Sequence, residues 1–188
     1  MIPNAGAYTE SAGILGVRQE IAQFLFERDG YEGNPGDIFL TNGASEGVRL
    51  CMQTIIRDPD SGFKDGVLTP IPQYPLYSAL TTLLNGNLIP YYLNEEKGWD
   101  CTIAELKSSL SSARSQGISP RALVVINPGN PTGQLLSQEG ITNIINFCMS
   151  ENICLMADEV YQENIWKEGA KFYSFRKVAF DMGAFKGI

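Results

Sequence analysis

The chain has 188 residues, 44% hydrophobic and 19% charged, and a formal net charge of −7. That size and mixture suit one soluble globular domain, and the acidic balance argues against a nucleic-acid surface. It contains no histidine, which excludes a Ser-His-Asp triad, a Cys-His pair and any histidine-ligated metal supplied by these residues. Cys51, Cys101, Cys148 and Cys154 form no C-x-x-C pair, which argues against zinc. Three of them stand in apolar sequence and are expected as reduced core residues of an intracellular protein. No run approaches the ~18 apolar residues of a membrane span. The first residues lack the basic and apolar regions of a signal peptide.

In chain order, Ile14, Val17, Ile21, Phe24 and Leu25 recur at helical spacing within residues 11–28, and Gly30 supplies a stop. Residues 37–41 (DIFLT) read as a short strand. Asn42-Gly43 then turns the chain into a helix over 44–57 with Val48, Cys51 and Ile55 on its apolar side. Residues 58–62 (DPDSG) read as a loop. Residues 67–70 (VLTP) lead into a corner at Pro70, Pro72 and Pro75 that is not expected as a regular central strand. A short helix to Leu84, a turn at Asn85-Gly86 and a strand over 88–93 (LIPYYL) follow. Thr102 and Glu105 have capping-box spacing for a helix to about Arg114. Residues 122–126 (ALVVI) are a strand, Ser137 caps a helix to about Ser150, and 153–157 form another strand. From 167 onward no element stands out. Strands alternating with helices predict a mostly parallel, doubly wound α/β sheet flanked by helices.

Two motifs directly follow apolar strands: 127–133 (NPGNPTG) and 158–161 (DEVY). Ligands of such sheets sit beyond the carboxyl ends of the strands, so Asn130 and Asp158 are candidates for one ligand. Ala44 and Ser45 open a helix after a glycine, where unpaired N–H groups and the helix dipole favour a phosphate; plain capping by Ser45 is the structural alternative. Tyr74 stands on a stiff Pro-flanked corner, suited to stacking, although core or turn packing also accounts for it; Tyr77 reads as packing. The Asn and Pro residues of 127–133 also suit a simple turn, and Asn127 is assigned to it.

Taken together, NGASEGV (42–48), PIPQYPLYS (70–78), NPGNPTGQ (127–134) and ADEVYQEN (157–164) resemble the fold-type-I pyridoxal-phosphate aminotransferases. Their wording is similar to the alanine aminotransferase branch. The resemblance implies a pyridoxal 5'-phosphate cofactor. It assigns Asp158 to the pyridine nitrogen, Asn130 and Tyr161 to the phenolic oxygen, Ala44 and Ser45 to the phosphate and Tyr74 to the ring face. Tyr8, at matching spacing before Gly13 and Arg18, corresponds to a tyrosine that reaches the phosphate of the other subunit of a homodimer. Amino acids and 2-oxo acids are the implied substrates, in the cytoplasm or the mitochondrial matrix.

The family's Schiff-base lysine motif, Ser-x-Ser-Lys-Gly, has no match; Lys186 precedes Gly187 without those serines. The chain is therefore expected to be part of the large cofactor-binding domain of a longer aminotransferase, without its small domain and inactive alone. Two other readings stay open. One is a short non-catalytic protein that binds the cofactor weakly or pairs with a full-length subunit. The other is a glutamate–glyoxylate aminotransferase or a carbon–sulfur lyase on the same frame.

Overall fold

A computed structural model describes residues 8–184. Four parallel strands lie in the order β2-β1-β3-β4. They are β1 (Asp65–Ile71), β2 (Asn87–Tyr92), β3 (Ser119–Ile126) and β4 (Cys154–Asp158). Around them run α1 (Leu15–Asp29), α2 (Ala44–Ile55), α3 (Leu76–Leu83), α4 (Ile103–Ser115), α5 (Gln138–Glu151) and α6 (Phe175–Asp181). Each consecutive pair of strands is joined through a helix, as parallel pairing requires.

Side chains alternate across a strand, and this divides the core in two. Val67, Ala122, Val124 and Ile126 pack with Met52, Tyr77 and Leu80, on the side of α2 and α3. Leu68, Leu123 and Val125 pack with Leu106, Leu110, Ile141 and Ile144, on the side of α4 and α5. With helices on both faces, the middle strands are apolar throughout: Val67, Leu68, Ala122, Leu123 and Val124 have no exposed surface. The doubly wound sheet expected from the sequence is the observed one.

Local signals set several helix ends. Gly30 closes α1 in the left-handed conformation (φ 82°), its N–H donating to Phe26 O. Ser137 caps α5 by accepting from Gly140 N–H at 3.0 Å. Thr102 likewise accepts from Glu105 N–H. The Glu105 carboxylate, however, reaches the Tyr92 N–H on β2 instead of closing the capping box.

Five expectations are corrected. First, β1 is an inner strand that continues through Pro70 to Ile71. The pairing of β1 with β3 ends at Leu68, whereas that with β2 continues. Ile71 O accepts from Leu93 N–H on the β2 side. The nitrogen of its neighbour Pro70 therefore faces β3, where no ladder bond is lost. Second, residues 37–41 form no strand; Leu40 N–H donates to Ala12 O at 2.9 Å, a tie to the start of the chain and not to the sheet. Third, the apolar stripe of α1 is not core: Phe24 is exposed, and the buried residues are Arg18, Ala22 and Asp29, with Arg18 bonded to Gly13 O and Pro35 O. Fourth, residues 175–181 do form a helix, capped by Ser174, which accepts from Lys177 N–H, and anchored by buried Phe175 and Val178. Fifth, Cys101 and Cys148 are buried but Cys51 and Cys154 are exposed, and all four are free thiols.

Candidate active site

The carboxyl ends of β1, β3 and β4 form one rim. The chain runs from β1 outward to β2 and then back across to β3, so the rim between β1 and β3 is the topological switch point where ligands of such sheets bind. Strand alternation decides which way the two acids at the end of β4 point. Asp158 shares the face of Met156, toward α2 and α3, and its Oδ2 accepts from the Tyr77 hydroxyl of α3 at 2.5 Å. Its Oδ1 accepts from Val160 N–H at 3.3 Å. Glu159 turns the other way, and its Oε1 accepts from Phe175 N–H at 2.7 Å, tying β4 to the start of α6. Burial pushes the Glu159 carboxyl up to about 7, with Asp29 and Asp158 adding repulsion against the lowering by the Phe175 amide and Arg28.

Ala44, Ser45, Tyr74, Asn130, Asp158 and Tyr161 all line one cleft, of about 230 Å³. Val48, Leu76, Ile126 and Val160 supply its apolar wall. Asn130 Nδ2 and the Tyr161 hydroxyl stand 3.4 Å apart, so two groups able to donate converge from the β3 and β4 loops. Gly43 precedes α2 at φ 80°, a conformation that favours glycine, and no side chain caps the helix. Capping by Ser45 is thus not what the structure shows; Ser45 lies in the first turn, where backbone N–H groups face outward for an anion. Tyr74 stands half-exposed immediately before Pro75 and α3.

Asn127 is fully buried, and its Oδ1 accepts from Leu136 N–H at 3.0 Å, closing the 127–136 loop beneath Asn130. Its expected role in the turn is the one observed. Tyr8 is fully exposed and does not line the cleft. Tyr77, expected as packing only, is buried but also holds the site acid. The available signal was its spacing: three residues after Tyr74, it lies in the first turn of the helix that begins at the rim.

The cleft thus joins a carboxylate, a tyrosine, an amide–hydroxyl pair and a helix N-terminus. Such a set can hold an anion at the helix N-terminus and a positively charged or protonated group at the carboxylate.

The sequence profile of aminotransferase class I and II matches residues 2–184. The chain belongs to that family. Among its curated relatives, alanine aminotransferase 2, mitochondrial, of Arabidopsis thaliana is 55% identical over 178 residues. Glutamate–glyoxylate aminotransferase 2 of the same plant is 52% identical over 179 residues, and alanine aminotransferase 1 of Rattus norvegicus 46% over 179. Each match covers 95% of this chain but only 32–36% of the relative, so the chain spans about a third of their length. An alanine aminotransferase from Pyrococcus furiosus superposes with a TM-score of 0.78 at 25% identity, covering 92% of this chain and 40% of that one. An aminotransferase from Escherichia coli gives 0.80 at 29%, covering 94% and 41%.

Proposed function

We propose that this chain is the cofactor-binding part of a pyridoxal-phosphate aminotransferase that resembles alanine aminotransferase, exchanging an amino group between L-alanine and 2-oxoglutarate. The observation that carries this reading is Asp158 on the cleft wall, held by Tyr77 and Val160 and facing the same space as Tyr74, Asn130 and Tyr161. When bound, pyridoxal phosphate supplies an electron sink for the carbanion formed at the substrate α-carbon. Asp158 would keep a proton on the ring nitrogen. Asn130 and Tyr161 would donate to the ring oxygen and favour its anionic form. Ala44 and Ser45 would offer their backbone N–H groups, with the Ser45 hydroxyl, to the phosphate, and Tyr74 would cover the ring face. Tyr8 is assigned to the phosphate of a second copy in a homodimer. The chain would form part of the large domain of the longer protein, in the cytoplasm or the mitochondrial matrix; relatives named mitochondrial support the second compartment.

A glutamate–glyoxylate aminotransferase is the second reading, favoured by the 52% identity to the Arabidopsis protein of that name. Turnover of alanine with 2-oxoglutarate, beside glutamate with glyoxylate, separates the two in the protein that carries this chain. In that protein Asp158→Ala is expected to lower kcat/KM by at least about a hundredfold and, by leaving the buried Tyr77 hydroxyl without its acceptor, to cost about 1–3 kcal/mol of stability without unfolding the protein. An Asp158→Ala protein of normal activity would refute the assignment.

A further inference from the structure

Two tyrosines of this chain are almost completely buried, and they satisfy their hydroxyls differently. Tyr91 donates to a backbone carbonyl, Val124 O, at 2.8 Å, the usual solution for a buried phenol. Tyr77, 1% exposed, donates at 2.5 Å to the Asp158 carboxylate, a partner 81 residues away in the chain. A bond to an ionised acceptor is shorter and stronger than one between neutral groups. It also settles an orientation. Asp158 borders two hollows: the cleft of about 230 Å³, on the side of Tyr74, and an apolar groove of about 540 Å³ between α2 and β4, on the side of Tyr77. A carboxylate on that wall can rotate toward either. Tyr77 ties down Oδ2, and the long Val160 contact leaves Oδ1 with acceptor capacity to spare.

We propose that Tyr77 is a positioning residue: its buried hydroxyl anchors Oδ2 of the Asp158 carboxylate from the groove side and so leaves Oδ1 to meet the ring nitrogen of the cofactor in the cleft. The proposal rests on the reading of Asp158 given above. Tyr77 itself touches no ligand; it acts through Asp158. Its backbone carbonyl accepts from the Thr81 hydroxyl within α3, so the ring is carried on an ordered helical turn. Tyr74 and Tyr77 thus divide the work across one turn of chain, Tyr74 at the ring face and Tyr77 behind the acid.

The test is binding of two ligands to the purified protein: pyridoxal phosphate, and its 1-deaza analogue, in which a C–H replaces the ring nitrogen. Affinities are read by equilibrium dialysis for the unsubstituted protein, Tyr77→Phe, Asp158→Asn and the double variant. Tyr77→Phe is expected to bind pyridoxal phosphate about ten- to a hundredfold more weakly and the deaza analogue with unchanged affinity. In the Tyr77→Phe background, Asp158→Asn should cost less than it does alone, as groups acting in series do. Equal loss for both ligands, or no loss, overturns the proposal, since a merely structural tyrosine cannot sense the ring nitrogen. If Asp158→Asn discriminates between the ligands and Tyr77→Phe does not, only this inference falls. If Asp158→Asn does not discriminate, or the unsubstituted protein binds neither ligand, the reading of the cleft fails and the inference with it. Should Tyr77→Phe lose cooperative unfolding, the hydroxyl proton of Tyr77 in the unsubstituted protein is followed by NMR. It should move on adding pyridoxal phosphate and not on adding the deaza analogue; the same response to both refutes the proposal.

Discussion

The two edges of the sheet are finished in opposite ways. Along β2, Pro90 has no N–H to offer a neighbouring strand, and the Tyr92 N–H is taken by Glu105 at 3.0 Å. These are local devices that blunt an edge. Along β4 the residues Cys154, Leu155, Met156 and Ala157 include neither proline nor charge; Cys154 and Ala157 are exposed and the apolar groove runs alongside. What secures β4 is long-range: Glu159 on the start of α6, and a buried cluster joining α6 to α1. In that cluster Asp29 accepts from the Ser174 hydroxyl at 2.8 Å and from Arg176 at 3.0 Å, while Arg176 also donates to Tyr31 O and Glu32 O. The edge that carries Asp158 is thus the one without local protection, and its geometry is set by distant partners.

The largest expected effect comes from breaking that distant support. Burial alone would raise the Asp29 carboxyl, yet donors from Arg28, Ser174 and Arg176 hold it below its usual value. Asp29→Ala removes the carboxylate that Arg28 and Arg176 share and should cost about 3–5 kcal/mol in denaturant unfolding. A loss no larger than that at the β2 edge would erase the contrast.

Glu159→Gln is expected to come next. The Glu159 carboxyl titrates near 7 in the folded protein and near 4.5 in the unfolded one. Between those values the folded form binds the extra proton, so this group's contribution falls as pH rises through about 7. Glu159→Gln keeps the acceptor for Phe175 N–H and removes the charge. It should flatten the stability profile from pH 5 to 8, a difference of at most about 3 kcal/mol. An unchanged slope would mean that Glu159 is ionised throughout. The smallest effect is expected at β2: Glu105→Ala should cost about 1 kcal/mol and speed concentration-dependent aggregation, measured by light scattering, because it uncovers the Tyr92 N–H.

The parts legible from the sequence were those with a local cause. Apolar runs gave β3 and β4, Gly30 and Ser137 marked helix ends, and the residues before 133 and after 157 placed Asn130 and Asp158 on the rim. Readings that failed depended on partners far away. Pro70 looked incompatible with an inner strand because one-dimensional pattern does not say which neighbour stops first. Residues 37–41 had a strand's composition but no strand beside them. The α6 segment had a serine cap with few other local cues, and its stability comes from Phe175, Val178 and the contact with Asp29.

By itself, then, the sequence determined the alternating plan, the parallel class of sheet and the pair of strand-end motifs, because each follows from short-range periodicity and turn chemistry. The tertiary structure decided that Asp158 turns toward α3 while Glu159 turns toward α6, and that Tyr77 is the residue behind the acid. Those facts require two segments 81 residues apart to meet at hydrogen-bond distance, and only the packing of α3 against the sheet brings them together.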